Sequence, residues 1–410
     1  MRRLGAFAFI ASAVLYQWQP WAPEIVGMPL QVPLLWISVV VLWRTDGIRL
    51  FPLERGVYAL LVFPFILYFW ILYDVNTGQE WLRIIQLATG LLLCSVAFQW
   101  VLVNSNYLWK LISALLFAGV CHAVYAFGQY IGVLGWGRTV YSGSAGGAVP
   151  TGLENSPVTL SYSLVPIIGI SLTRYFNASG RSKVLWVIIS IVLVLAILSS
   201  QSRSGFAAVV LMYIILQFLF FDISTNENLK RMFYKFTVFL FVLVAIAPLA
   251  VDLPAGRWEG VSEDSRLGGT MLAFGPILLE SPLGVGEQVL ELGDYLSDSN
   301  DQRLTHAFIT NSGYAPHNAW LTTTLFYGFP TGLVLVLLYW RVVSKNLLRV
   351  SSRERVCLSQ RGELAVAVGI ANLGLIVHSW FHNSGLFLGE MRAWIWIGIG
   401  LATAQLFSRV

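Results

Sequence analysis

The sequence predicts an all-α polytopic membrane protein, built as a single integral membrane domain over residues 1–410. Two observations on composition support this prediction: 57% of the residues are hydrophobic, and only 11% are charged. In a soluble domain about a quarter of the residues are charged. The third observation is that the apolar residues form runs of about 20, which is the length that a helix needs to cross the hydrocarbon layer.

The apolar runs, taken in chain order, predict about twelve transmembrane helices. The first run follows two arginines and has the appearance of a signal peptide. We interpret it as an uncleaved span, because its apolar character continues through Tyr16 and Trp18. No clear internal repeat relates the runs. The spans are expected near residues 4–19, 24–43, 56–73, 81–103, 108–134, 157–176, 184–200, 205–221, 232–250, 317–340, 361–382 and 386–408.

Positive residues predict the orientation of the spans, since Lys and Arg are retained on the cytoplasmic side. With both termini in the cytoplasm, that side holds 19 of the 26 Lys and Arg residues. The other seven are all arginines, although the chain contains five lysines. This pattern favours bidentate binding of an oxyanion such as phosphate at the outer face; the alternative is a chance distribution of so few lysines. The seven are Arg83, Arg138, Arg203, Arg257, Arg266, Arg303 and Arg392.

Several function classes are disfavoured by the sequence. The basic residues fall in short loops and form no single patch, so nucleic acid is not an expected partner. No P-loop or dinucleotide fingerprint is present, which argues against a nucleotide-driven pump. His378 and His382 share one helix face, but the five histidines form no short metal-ligand motif, and the acidic run 293–301 lacks the spacing of a calcium loop. We therefore expect neither a metal nor any other cofactor.

The loop over residues 252–316, between predicted spans 9 and 10, is the longest connection in the chain. It has 65 residues and carries ten of the 21 acidic residues. Within it, residues 265–279 are expected to form a short helix lying against the membrane, and the following ESPLGVGE is expected to form a turn. A long ordered loop on one side of a helix bundle is usually functional.

His317 lies at the end of this loop, immediately after Pro316 and at the start of a long apolar helix. The positive end of a helix dipole and partial burial both disfavour the charged imidazolium. A neutral imidazole can accept a proton from an attacking hydroxyl, so His317 is a candidate general base. The alternative is a histidine that only hydrogen-bonds the loop.

Arg203 lies between two predicted spans, beside the hydroxyls of Ser202 and Ser204. Gly205 follows, and the absence of a side chain there allows a close approach of another segment. An arginine near the hydrocarbon is costly unless it is paired or hydrated, so Arg203 is a candidate for binding an anion. The alternative is an arginine that binds lipid headgroups. Arg138, Arg257 and Arg266 lie in the large outer loops, where the acidic residues could also pair with them.

Three motifs, taken in their order along the chain, resemble the O-antigen ligase and polymerase superfamily. The first is Ser202-Arg203-Ser204-Gly205 at the start of a span. The second runs from Arg266 to SPLGVG, which ends at Gly286. The third is HNAWL, which begins at His317 and continues into a helix containing Gly332. GLENSP, from Gly152 to Pro157, is a looser match. The resemblance covers about residues 150–340, and the ligase branch is most similar in size and number of spans.

The resemblance implies an integral inner-membrane glycosyltransferase of the GT-C type, with its active site on the periplasmic side. Such a ligase transfers O-antigen from undecaprenyl pyrophosphate to a sugar hydroxyl of lipid A-core, without a nucleotide sugar or a metal. By motif match, His317 would act as the base, and Arg203 and Arg266 would stabilise the pyrophosphate. Arg138, Arg257, Asn318 and His306 are further expected substrate-binding residues. The expected partners are both glycolipids and the surrounding membrane lipids.

Three other functions stay open at this point. The same chemistry could join O-antigen repeat units, as a polymerase does, or glycosylate a protein. A third function of another class is a flippase for a lipid-linked glycan, which predicts charged residues at mid-membrane depth and discontinuous helices. The candidate arginines gather at one face instead, which favours a one-sided catalytic cavity. No carboxylate nucleophile is evident, so a single displacement with inversion is expected.

Overall fold

The computed structural model describes about three fifths of the chain. The predicted span at 232–250, and the span at 56–73 apart from residues 62 and 66, lie outside the described residues. So does the loop 252–316 apart from residues 279 and 282–284. The described residues are 1–18, 24–25, 28–46, 62, 66, 78–103, 105–135, 141–142, 148–154, 156–220, 279, 282–284, 318–347, 360–382, 385–388 and 390–408.

The described residues are almost entirely helical, as the sequence predicts. Four two-residue strands form two antiparallel hairpins, in which β1 (Glu24–Ile25) pairs with β2 (Met28–Pro29) and β3 (Tyr141–Ser142) pairs with β4 (Ala148–Val149). The helices are α1 (Arg2–Gln17), α2 (Gln31–Asp46), α3 (Gly78–Val103), α4 (Ser105–Tyr130), α5 (Pro157–Asn177), α6 (Gly180–Ser199), α7 (Arg203–Phe220), α8 (Ala319–Tyr327), α9 (Phe329–Leu347), α10 (Gln360–Trp380) and α11 (Met391–Ser408).

Four helical segments among the described residues are long and apolar enough to cross a membrane. They are Tyr107–Tyr130, Gly180–Ser199, Arg203–Phe220 and Gly362–Trp380. Their length and composition are compatible with a multi-pass membrane protein. The predicted total of twelve spans stays a prediction.

The predicted span at 24–43 begins later than the sequence indicated. Residues 24–25 and 28–29 pair as strands, and α2 begins at Gln31. Proline explains the difference, because Pro29 lacks the N–H that a helix interior requires. Pro33, by contrast, falls in the first turn of α2, where that N–H is not needed.

The predicted single span at 317–340 is two helices, α8 and α9, that meet at Gly328. Gly328 has φ +85°, a left-handed conformation that interrupts the helix and that glycine adopts at little cost. Pro330 then lies in the first turn of α9, where its missing N–H is tolerated. The prediction of apolar helix over this range was therefore correct, but the prediction of one continuous helix was wrong.

Helices α5 and α10 form the centre of the bundle. They pack against each other, and α7 packs against both, while α11 packs against α3, α9 and α10. The close packing of α5 on α10 includes Gly169, where an added Cβ would lie 3.1 Å from the Cα of Ala371. By contrast, α6 presents an apolar face to the outside, with Val184, Leu185 and Ile188 each more than half exposed. Polar side chains on α10 are consequently enclosed by other helices.

The ends of the bundle differ in charge. We call the end that contains the start of α7 the Arg203 end. The start of α5 and the end of α10 lie there, because Ser161 contacts His378, whereas Asn177 contacts Glu363 at the other end. Lysines of the described residues lie at the opposite end, at the start of α4, the start of α6 and the end of α9; they are Lys110, Lys183 and Lys345.

Candidate functional site

Two of the sequence-predicted site residues are among those that the structure describes. Arg203 is the first residue of α7, and Asn318 immediately precedes α8. The other predicted residues lie outside the described residues. They are His317, Arg266, Arg138, Arg257 and His306.

The turn that carries Arg203 joins α6 to α7 at Ser200–Ser202. Gln201 in this turn has φ +55°, the one non-glycine residue with a positive φ in the described part of the chain. A side chain disfavours that conformation, which costs on the order of 1 kcal/mol and persists only where surrounding contacts hold it. Ser200 Oγ donates to the carbonyl of Ile197 over 2.7 Å, which fixes the first side of the turn.

Three serines and a histidine hold the second side of the turn in a closed ring of polar contacts, here called the His378 cluster. Ser161 Oγ lies 2.6 Å from Ser202 Oγ and 2.7 Å from His378 Nε2. Ser204 Oγ closes the ring, at 3.2 Å from Ser202 Oγ and 3.1 Å from His378 Nε2. All four residues are buried. The cluster therefore joins the turn around Arg203 to α5 and α10.

Gly205 allows α7 to reach this cluster. An added Cβ there would lie 2.7 Å from the Cβ of Ser161 and 3.1 Å from Cγ2 of Ile197. Both neighbours are held by helix packing, so a side chain at this position would push the start of α7 away from α5. The close approach that the sequence predicted at Gly205 is thus present.

The start of α8 is bound to the end of α10. The backbone N–H of Ala319 donates to the carbonyl oxygen of His382 over 2.8 Å. Asn318 caps α8, and its Oδ1 accepts hydrogen bonds from the N–H groups of Trp320 at 2.9 Å and Leu321 at 3.0 Å. The amide oxygen of Asn318 therefore has a structural task beside the substrate-binding role that the sequence suggested.

A segment of the long loop contacts the break between α8 and α9. The N–H of Phe329 donates to the carbonyl oxygen of Pro282 over 2.8 Å. Gly284 has φ +95°, and an added Cβ there would lie 2.5 Å from the backbone nitrogen of Gly328. Only glycines allow the two backbones to approach this closely. Residues 282–284 of the SPLGVG motif are therefore docked against the junction of α8 and α9.

A buried ion cluster lies beside the His378 cluster. Arg392 Nη1 is 2.5 Å from Glu154 Oε1, and Arg392 Nη2 is 2.8 Å from Glu390 Oε2. Burial raises the pKa of Glu154 to about 7, and the charge of Arg392 opposes that rise. The ring of Tyr162 lies between the clusters, 5.2 Å from the His378 ring and 5.8 Å from the Arg392 guanidinium carbon.

Sequence reasoning missed the parts of this end that depend on tertiary contacts. The carboxylate of Glu154 in GLENSP, which pairs with Arg392, was not a candidate there. His378 and His382 were noticed for their shared helix face and considered only as metal ligands. Within the described residues, no group of three His, Cys, Asp or Glu side chains could hold a metal ion. The sequence signal that could have indicated the His378 cluster was a histidine predicted to lie at the same end of the bundle as the serine-rich turn before Arg203.

The contacts bring three separate stretches of chain to the end of α10. The turn around Arg203 meets His378, the residue after Asn318 meets His382 four residues later, and GLENSP meets the start of α11 through Arg392. Such an arrangement can present the guanidinium of Arg203 to an anionic ligand. No protein-family model matches the chain, and no curated protein matches it.

Proposed function

We propose that this protein is an O-antigen ligase of the bacterial inner membrane. It transfers O-antigen from undecaprenyl pyrophosphate to a sugar hydroxyl of lipid A-core and so completes lipopolysaccharide. In this proposal about twelve spans cross the membrane, both termini are cytoplasmic, and residues 252–316 form a periplasmic loop over the active site. No metal, nucleotide or other cofactor takes part.

One observation carries the proposal, namely that two motifs of the resemblance bind neighbouring residues at one end of α10. Ser202 and Ser204, on either side of Arg203, belong to the His378 cluster, and His382 binds the residue after Asn318. His378 and His382 are four residues apart, at the end of α10 and just beyond it, so they bring the two motifs close together. The docking of Pro282 on Phe329 ties the second motif, SPLGVG, to the junction of α8 and α9. Stretches that only happened to resemble motifs of a family would have no reason to bind neighbouring residues of one segment.

The chemistry of the proposed transfer uses the arginines and the histidine in separate tasks. The acceptor hydroxyl gives its proton to His317, and its oxygen forms the new bond to the anomeric carbon of the glycan. The bond from that carbon to the pyrophosphate oxygen breaks, and undecaprenyl pyrophosphate leaves with the bonding electrons. Arg203 and Arg266 stabilise the charge that develops on the leaving group. Because one displacement occurs, the anomeric configuration is inverted.

Four other residues complete the proposed site. Arg138 and Arg257 would add positive charge toward the pyrophosphate, and His306 and Asn318 would contact the sugars. The described residues at the Arg203 end of the bundle include no lysine, which supports the assignment of arginines to the pyrophosphate. A guanidinium group can bind two phosphate oxygens at once, whereas an ammonium group binds as a point charge. Arg203 itself is partly buried at the start of α7, where a reduced dielectric strengthens such contacts.

The test uses purified protein, a labelled undecaprenyl-pyrophosphate glycan and lipid A-core, in the presence of EDTA and without nucleotide. The expected result is labelled lipopolysaccharide from the wild type, and little or none from His317→Ala, Arg203→Ala and Arg266→Ala. Normal transfer by all three variants would overturn the proposal. Loss of transfer in EDTA would instead point to a metal bound by the acidic loop.

A strain that lacks the protein separates the ligase from its relatives. A ligase defect leaves lipid A-core without O-antigen while lipid-linked polymer accumulates. A polymerase defect leaves one repeat unit on the core. Unchanged lipopolysaccharide together with a missing protein glycan would indicate a protein-glycosylating enzyme, and transport of the lipid-linked glycan without transfer would indicate a flippase.

A further inference from the structure

We propose that His378 is a positioning residue that holds Arg203 in its ligand-binding orientation. His378 acts through the serines on either side of Arg203 and does not itself touch the substrate. The inference rests on the proposed function, because it assigns Arg203 a pyrophosphate-bearing ligand, and it adds a residue outside the three motifs of the resemblance.

The first argument is the strained turn. Gln201 has φ +55° immediately before Ser202 and Arg203, so this turn needs contacts that hold it in place. Ser202 and Ser204 supply them through Ser161 and His378, over 2.6 to 3.2 Å. The N–H of Gly205 also donates to Ser202 Oγ over 3.3 Å, which links the cluster to the first turn of α7. Releasing His378 would therefore release the backbone on both sides of Arg203.

The second argument is the chemistry of the buried imidazole. His378 has no exposed surface, and its Nε2 is the atom that contacts Ser161 and Ser204. Its Nδ1 has no hydrogen-bond partner within the described residues. An imidazole that leaves one polar atom buried without a partner is more costly than an apolar side chain of similar size. A packing role alone would be filled better by leucine, so the contacts of Nε2 are what the position requires.

The third argument is the location of His378 on α10. Four residues further along, the carbonyl of His382 accepts the hydrogen bond from Ala319. The end of α10 and the two residues beyond it thus fix both the Arg203 turn and the backbone of Ala319, the residue after Asn318. His378 consequently sets the position of Arg203 relative to the segment that carries the proposed base.

The variants separate the hydrogen bonds of Nε2 from the bulk of the ring. In His378→Gln the terminal amide can reach the place of Nε2, whereas His378→Leu keeps an apolar side chain and loses the contacts. Ser161→Ala breaks the cluster from α5 and leaves His378 in place, which keeps the inference testable if His378→Leu fails to fold. His122→Leu is the matched control, since His122 is equally buried on α4 and contacts Ser163 at 3.3 Å, away from Arg203.

Two readouts are measured on full-length protein in detergent. The first is hydrogen–deuterium exchange of the amides in residues 200–206. The second is the affinity for farnesyl pyrophosphate, a short prenyl pyrophosphate probe, together with kcat/KM for the lipid-linked donor and KM for lipid A-core. His378→Leu and Ser161→Ala are expected to speed exchange and to weaken probe binding and donor kcat/KM by about tenfold, with the acceptor KM unchanged. His378→Gln is expected to retain wild-type behaviour within about threefold, and His122→Leu to leave all these readouts unchanged.

The two proposals fail in distinguishable ways. If the wild type transfers glycan and Arg203→Ala weakens probe binding, but His378→Leu and Ser161→Ala match the wild type, the positioning role is wrong and the ligase proposal stands. If the wild type transfers no glycan, the ligase proposal is wrong, and exchange at residues 200–206 still tests whether His378 holds the turn. Loss in His378→Gln as large as in His378→Leu would also overturn the positioning role.

Discussion

The backbone N–H of Ala319 lies 2.8 Å from the carbonyl oxygen of His382 and donates a hydrogen bond to it. This bond joins the first residue of α8 to the chain just beyond the end of α10. It also satisfies one of the N–H groups that every helix leaves unpaired at its start. The position of α8 relative to the end of α10 is therefore determined by a bond between backbone atoms.

Asn318→Ala is predicted to destabilise the start of α8, because the Oδ1 that caps two N–H groups is lost. The expected cost is about 1 kcal/mol, measured as a lower midpoint of thermal unfolding in detergent, with reduced glycan transfer. Asn318→Ser is the matched variant, since a serine hydroxyl also caps helices. Restored stability with restored transfer would assign Asn318 a capping role, whereas restored stability without transfer would show that its amide binds substrate.

Arg203→Ala is predicted to reduce donor kcat/KM by about tenfold to a hundredfold, the effect of removing a charged hydrogen bond to the leaving group. Arg203→Lys is expected to fall between the alanine variant and the wild type, because a lysine keeps the charge but cannot form two parallel hydrogen bonds. Equal activity of the lysine variant and the wild type would contradict bidentate binding. The amount of folded protein in the membrane is expected to be the same for all three.

The sequence predicts the helices best where an apolar run has clear ends. The expected spans at 184–200 and 205–221 correspond to α6 at Gly180–Ser199 and α7 at Arg203–Phe220, because the polar residues between them mark both boundaries. The apolar run across α8 and α9 has no polar residues at the junction of the two helices. Gly328 and Pro330 are the residues that indicate a break there, and the run-length criterion does not take them into account. The length of an apolar run therefore predicts where helix lies, but it does not show whether the run forms one helix or two.

The candidate site is less accessible to sequence reasoning, since its contacts join distant parts of the chain. Ser161 and His378 are separated by 217 residues, and Glu154 and Arg392 by 238. Local patterns could indicate that Arg203 lies in a polar turn, as they did. They could not indicate which helix supplies the partners of that turn, because this depends on how α5 and α10 pack.

Gly328→Ala is predicted to destabilise the junction of α8 and α9 and to release the docked loop segment. An alanine Cβ would meet the carbonyl carbon of Leu283 at 2.6 Å and would also be strained at φ +85°. Gly180→Ala is the matched control, because Gly180 has φ +55° and nothing within 4 Å of an added Cβ. The control is expected to lose about 1 kcal/mol of unfolding free energy from strain alone.

The difference between these two variants measures the packing of residues 282–284 on Gly328. Gly328→Ala is expected to show a clearly larger drop in thermal midpoint than Gly180→Ala and faster proteolysis of the loop between α7 and α8. Glycan transfer is expected to fall in Gly328→Ala alone. Equal thermal midpoints and equal proteolysis for the two variants would mean that the contact with Leu283 contributes nothing.

Arg392→Met is predicted to be the most destabilising of the single substitutions considered, because it leaves the buried Glu154 and the partly buried Glu390 without their counter-charge. Breaking a buried ion pair from one side typically costs about 3–5 kcal/mol. Arg174→Met is the matched control: Arg174 pairs with Glu363 over 2.9 Å, but its side chain is 26% exposed, compared with 4% for Arg392. Water screens that pair, so the control is expected to lose far less.

The loss in Arg392→Met is also predicted to depend on pH in a defined direction. Burial raises the pKa of Glu154 to about 7 while Arg392 opposes the rise, so removing Arg392 moves this pKa higher still. Near pH 5 the carboxyl group of the folded variant is protonated and neutral, and the loss is small. As the pH rises to about 8, the unfolded chain gains stability by ionising a carboxyl group that the folded variant ionises only at a cost, so stability falls. Thermal unfolding of the wild type and the variant across this range measures the effect; a difference in midpoint that is constant or shrinks with rising pH would contradict it.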